Sequence, residues 1–337
     1  MKQLPAPLAV SLGDPAGVGP ELIAAAWAQR EAAGLAPFFV VGGAGVLAEA
    51  ARSRGLSVDI ARIDRPEDAA AAFQDALPVL GDDDCAWAPG APSESGARLA
   101  CHSLKCAAGL AMAEVASGIV TAPVAKSELA KVGFHHPGQT EFLADVFRLP
   151  ASNAVMMLAG PSLRAVPVTV HCSLAEVPGL LSSALIVSKG RIVAEALRRD
   201  FGIAAPRLAV CGLNPHAGEQ GRIGSEDAGI IAPAVAALRA EGIDASGPHP
   251  ADALFSPRSR GTFDAALAMY HDQALIPVKA LDFDEGVNVT LGLPIVRTSP
   301  DHGTAFDISG RNVANPGAMV AALRMAGEIA ARRAARG

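Results

Sequence analysis

Short apolar runs that end in a glycine-bearing turn and pass into an alanine-rich helix recur along this chain, and that rhythm restricts its fold more than any other feature. Leu8 to Leu12 reads as a buried strand feeding GDPAGVGPEL, where Gly13, Gly17 and Gly19 let the backbone turn. Pro20 suits the first position of a helix and Glu21 favours its positive end, so a helix is expected to run to about Ala33, before Gly34. PFFVVGG followed by AGVLAEAARSRG repeats the pattern, and SVDI reads as a third strand. Units of this kind build mostly parallel sheets in α/β proteins. Residues 61–92, broken by Pro66, Pro89 and Pro92, lack sustained periodicity and read as an irregular connection.

The rhythm continues to the end of the chain. Ser93 or Ser95 can cap a long helix reaching about Ala116, IVTAP is a strand running into a turn, and Lys126 opens another helix. NAVMMLAG and LRAVPVTVH look like neighbouring strands, the second delivering His171 at its carboxyl end, and a long helix then reaches about Phe201. Strand Leu208 to Cys211 leads into a loop carrying Asn214 and His216, with a helix starting near Glu226, whereas GPHPADALF looks turn-like. Asn315 is the expected N-cap of the last helix, with Pro316 at its first position.

At 337 residues, half of them hydrophobic, the chain can bury two cores. No internal repeat and no flexible linker separates them, so the backbone is expected to cross between domains more than once. A net charge of −6 gives no basic footprint for nucleic acid or an anionic membrane. The five cysteines, Cys85, Cys101, Cys106, Cys172 and Cys211, include no CxxC pair and suit reduced thiols in a cytosol. Neither a signal peptide nor an apolar run long enough to span a membrane is apparent, so a cytoplasmic protein is expected.

His171, His216 and His271 each follow an apolar strand-like run, the position from which separate strands aim side chains into one crevice. Any one alone reads as a polar residue at a loop start. Together they suit a catalytic divalent metal, for which three protein ligands leave a position open. Lys279, Asn288 and Arg297 offer a point charge, a neutral donor and a planar fork that could converge on a phosphate, or they are three solvated loop residues. Asp252 and Asp272 are candidates for orienting an imidazole or moving a proton, with structural capping as the alternative. The Gly13 to Glu21 turn could hold an anion at a helix N-terminus, although it lacks GxGxxG spacing.

Taken in order, GDPAGVGPE, VTAPVAKSEL, HPGQTEFLA, VTVHCSL, GLNPHAGEQGRIGSED, MYHDQALIPVK and NVTLGLPIVRTSPDHGTAFDISG resemble the 4-hydroxythreonine-4-phosphate dehydrogenase family over nearly the whole chain. GDPAGVGPE and HGTAFDISG also look like the wider isocitrate and isopropylmalate dehydrogenase superfamily. The resemblance implies a two-domain α/β/α fold with mostly parallel sheets and an active-site cleft between domains, divided as residues 1–132 with 300–337 and residues 133–299. It makes His171, His216 and His271 ligands of Zn²⁺, Mg²⁺ or Co²⁺, with His271 reaching across a homodimer. Gln139, Thr140, Lys279, Asn288 and Arg297 become substrate-binding residues, and His302, Gly303, Thr304 and Asp307 become part of the NAD(P)+ site. Gln139 departs from the family, which carries histidine there. The implied reaction oxidises the C3 hydroxyl of 4-phosphooxy-L-threonine, on the route to pyridoxal phosphate. A dehydrogenase of another phosphorylated hydroxy acid, such as a threonate or erythronate phosphate, is the alternative that Gln139 raises.

Overall fold

A computed structural model describes residues 5–336 and contains twelve strands. They are β1 (Leu8–Ser11), β2 (Phe38–Val41), β3 (Ile60–Ile63), β4 (Leu77–Leu80), β5 (Ile119–Thr121), β6 (Val155–Ala159), β7 (Arg164–Pro167), β8 (Arg207–Cys211), β9 (Asp244–His249), β10 (Ala265–Ala268), β11 (Val287–Leu291) and β12 (Arg297–Pro300). The chain divides into two compact units. One comprises the residues up to Ala151 together with those from Leu293 onward, and the other comprises Ser152–Gly292. Residues 133–151 and 293–299, expected with the second unit, therefore belong to the first.

The first unit is built on a parallel sheet in the order β3-β4-β2-β1-β5-β12. All four residues of β1 are buried, which is why it reads as a continuous apolar run: a parallel strand covered on both faces has no solvent side to alternate with. Ser93 caps helix Glu94–Met112 by accepting from Gly96 N at 3.1 Å. From the same helix, the buried Ser103 hydroxyl donates to Val41 O at 2.7 Å and accepts from Leu12 N at 2.9 Å. One side chain thus ties the ends of β1 and β2 together.

Several local expectations are corrected here. The helix after Pro20 spans Gly19–Ala28 and gives way to turns before Gly34, whose φ is +62°. Residues 61–92 are not irregular throughout. They contain most of β3, all of β4 and helix Ala69–Ala72. β3 has one buried residue of four and β4 carries Pro78, so neither reads as a strand locally, and their parallel pairing supplies what local propensity does not. The final helix starts at Gly317, with Asn315 Oδ1 accepting from Gly317 N at 2.9 Å just outside it.

The second unit has the order β11-β6-β7-β10-β8-β9. β6 runs antiparallel to both β11 and β7, while β7, β10, β8 and β9 are mutually parallel neighbours. The turn-like GPHPADALF segment contains the end of β9 and helix Ala251–Leu254, because a sheet edge tolerates the glycine and prolines that made it read as a turn. Its core gathers small and large apolar residues, among them Leu158, Ala209, Phe263, Ala266 and Leu275. All five cysteines are free thiols, Cys101 and Cys211 being buried. Among the described residues no helix is long and apolar enough to cross a membrane.

Candidate functional site

The order β7-β10-β8 brings three loops side by side, for these parallel strands end in the same direction. His171 follows β7, His271 follows β10 and His216 follows β8. The His171 and His271 rings lie 6.0 Å apart between centroids, at 39°. His271 Nδ1 sits 2.7 Å from Asp272 Oδ1, which braces that ring. His171 and His216 both adopt left-handed backbone, with φ of +38° and +53°, a conformation that persists in a side-chain-bearing residue only when its surroundings impose it. Around these rings are two concavities of about 420 and 200 Å³ that meet at His271 and Asp272. Lys279 lines the larger one, two turns along the helix from His271.

Among the described residues, no three His, Cys, Asp or Glu side chains are already gathered into a metal-holding group. The donors nevertheless fit a divalent cation in kind: two facing imidazoles, one braced by a carboxylate, and a third on the adjoining strand end. His216 is carried by a left-handed run from His216 to Gln220. That loop is anchored by Asp227, which the sequence reading did not single out. The Asp227 carboxylate is 2% exposed and accepts from Leu213 N at 2.8 Å, Asn214 N at 3.2 Å and Asn214 Nδ2 at 2.9 Å. An acid closing the GSED run before a helix was the available signal, although it points equally to capping. Asp252 is exposed on helix Ala251–Leu254, which packs against the His216 segment. Asn288 lies on β11 with a buried Oδ1 that has no hydrogen-bond partner among the described residues.

Arg297, Gln139 and Thr140 belong to the first unit. Arg297 opens β12 and is 4% exposed. Its Nη2 donates to Thr121 Oγ1 at 2.9 Å and to Gln139 Oε1 at 3.4 Å. Burial draws the guanidinium down to about 10, with Glu141 pulling the other way, so it keeps its charge at neutral pH. Gln139 begins helix Gln139–Val146 with Thr140 beside it, and its Nε2 donates to Ala122 O at 3.3 Å. The sequence marked Gln139 and Arg297. It could not mark Thr121 and Ala122, which act from the end of β5.

The turn after β1 and the 302–310 loop, far apart in sequence, meet within this unit. Val18 N donates to Thr304 O at 2.9 Å, and a Cβ at Gly17 would stand 2.8 Å from that oxygen, so only glycine permits the approach. A Cβ at Gly13, whose φ is +76°, would stand 2.6 Å from Pro123 O. His302 and Gly303 are exposed and Asp307 faces solvent, while His302 Nδ1 lies 3.0 Å from Gly303 O. Glu21, expected at the positive end of its helix, proves to be 1% exposed behind the loop. Burial raises its carboxyl pKa, and Arg54, 3.9 Å away, partly offsets this.

The family model of the pyridoxal phosphate biosynthetic protein PdxA matches residues 35–326. The 4-hydroxythreonine-4-phosphate dehydrogenase of Erythrobacter litoralis is 68% identical, over 97% of this chain and 98% of its own. That of Caulobacter vibrioides is 53% identical, again over 97% and 98%. A crystal structure of the Klebsiella pneumoniae enzyme of the same name superposes with a TM-score of 0.86 at 36% identity, covering 98% of this chain and all of that one. With matches of this length and identity, the chain is an oxidoreductase that belongs to the PdxA family of pyridoxal phosphate biosynthetic proteins.

Proposed function

We propose that the protein oxidises 4-phosphooxy-L-threonine with NAD(P)+ and a divalent cation, giving 2-amino-3-oxo-4-(phosphooxy)butanoate, a β-keto acid that loses CO2 to form 3-amino-2-oxopropyl phosphate. The observation that carries this reading is the placement of His171, His271 and His216 at the carboxyl ends of three adjacent parallel strands. The names of the relatives supply the substrate.

In this reading the three imidazoles hold the cation and Asp272 keeps the His271 ring turned toward it. Arg297, braced by Gln139 and Thr121, binds an anionic group of the substrate, as do Lys279, Asn288 and Thr140. His302, Gly303, Thr304 and Asp307 border the adenosine end of the dinucleotide, held in place by the 13–21 turn. Asp252 is the candidate to receive the hydroxyl proton. When bound, the cation lowers the cost of deprotonating the C3 hydroxyl, by about 1.4 kcal/mol for each pKa unit, and the nicotinamide accepts the hydride. Holding the substrate at both its charged and reacting ends converts binding energy into alignment.

The test is NADH or NADPH formation from 4-phosphooxy-L-threonine with added metal, run beside threonate and erythronate phosphates. Turnover of the threonine ester that stops on chelation is expected. Turnover that survives exhaustive chelation overturns metal dependence, and preference for a threonate or erythronate ester transfers the activity to that substrate class.

A further inference from the structure

We propose that Gln273 is a positioning residue for the histidine site, a side-chain rung that sets the separation of the β10 and β8 ends from which His271 and His216 depart. The proposal rests on the metal reading above. The β10 ladder ends at Leu267↔Val210 on one side and Ala268↔Pro167 on the other. Beyond those pairs β7 and β10 remain joined by Val168 N donating to Ala268 O at 2.7 Å, whereas Met269 N and Gly212 O, at the β10 and β8 ends, bond to a side chain.

Gln273, in the first turn of helix His271–Asp282, bridges the β10 and β8 ends. Its Oε1 accepts from Met269 N at 2.6 Å and its Nε2 donates to Gly212 O at 2.8 Å. Since the amide N–H can only donate and the carbonyl can only accept, the orientation of the side chain is fixed. Met269 O in turn accepts from Thr169 Oγ1 at 2.8 Å and Thr169 N at 3.2 Å. The path Thr169, Met269, Gln273, Gly212 therefore crosses β7, β10 and β8 in order. Thr169 and Met269 each stand two residues before a candidate ligand, and Gly212 leads into the loop that Asp227 anchors. Cutting the rung frees the β8 end from the β10 end while leaving every imidazole present.

The test titrates Co²⁺ into the wild type, Gln273→Met, Gln273→Glu and His271→Ala, following affinity and the visible ligand-field spectrum, with unfolding temperature measured in chelator. Gln273→Met keeps the volume but loses both hydrogen bonds, whereas Gln273→Glu keeps the acceptor for Met269 N and loses the donor to Gly212 O. Both variants are expected to bind Co²⁺ about 10- to 100-fold more weakly, with an altered spectrum. Unchanged affinity and spectrum in a folded Gln273 variant, beside a wild type that binds and a His271→Ala protein that does not, overturn the proposal alone. A wild type that takes up no Co²⁺ overturns the metal reading and the proposal with it. If Gln273→Met does not fold, Gln273→Glu decides.

Discussion

A neutral side chain at residue 139 changes what pH can do to substrate binding. Gln139 joins Arg297 Nη2 to Ala122 O through an amide that carries no charge at any working pH. Histidine there would acquire a charge below about pH 6.5, and the buried guanidinium beside it would push that value lower still. Gln139→His is therefore expected to add an acid-side change in KM, on the order of tenfold, that the wild type lacks, with the substrate preference retained. Initial rates from pH 5 to 8 check this, and parallel KM profiles for the two proteins would overturn it. The sequence exposed Gln139 because it breaks a motif, and it exposed the histidines because each follows an apolar run. Thr121 and the Gly212 contact of Gln273 were illegible because strand order alone brings the partners together, and Asp227 because an acid before a helix points equally to capping.

At the scale of elements, the βα rhythm was legible at β1 and β2, which are buried throughout, and faded at β3, where only Ile63 is buried, and at β4, which carries a proline. The helix after β1 carries an unread feature, for Glu21 in its first turn is buried. Proximity to the positive end of a dipole favours its ionised form, but burial, the larger effect, raises its pKa, and Arg54 only reduces the rise. A carboxyl whose folded pKa exceeds its unfolded value near 4.3 lowers stability most when fully ionised, and the penalty disappears as pH falls through the folded value toward the unfolded one. Glu21→Gln, uncharged throughout, is accordingly expected to unfold at a higher temperature than the wild type at pH 7. The two curves should converge on acidification to about pH 4, near the unfolded value. A difference that does not shrink with falling pH would show that packing, rather than ionisation, governs this position.

For the whole molecule the open matter is how many chains build one site. The second unit exposes the large apolar side chains Leu174, Leu180, Ile276 and Phe283, at 67, 52, 63 and 76%. Ile276 lies on the helix that starts at His271 and Phe283 directly follows it, so a self-complementary contact there would carry His271 toward a neighbour. Within one chain, however, the His171 and His271 rings are already 6.0 Å apart, close enough for one chain to supply both donors. Subunit mixing separates the two arrangements. His171→Ala and His271→Ala are each expected to be inactive. In heterodimers isolated through two different tags, a site shared between chains leaves one position with all its wild-type ligands and one lacking both histidines, so about half the wild-type activity should return. If each chain instead builds its own site, both positions remain damaged and no activity returns, however completely the heterodimers form. Recovery would assign His271 to the partner's site, making the stretch after β10 a link between two active centres. Silence in verified heterodimers would confine the ligands to a single chain.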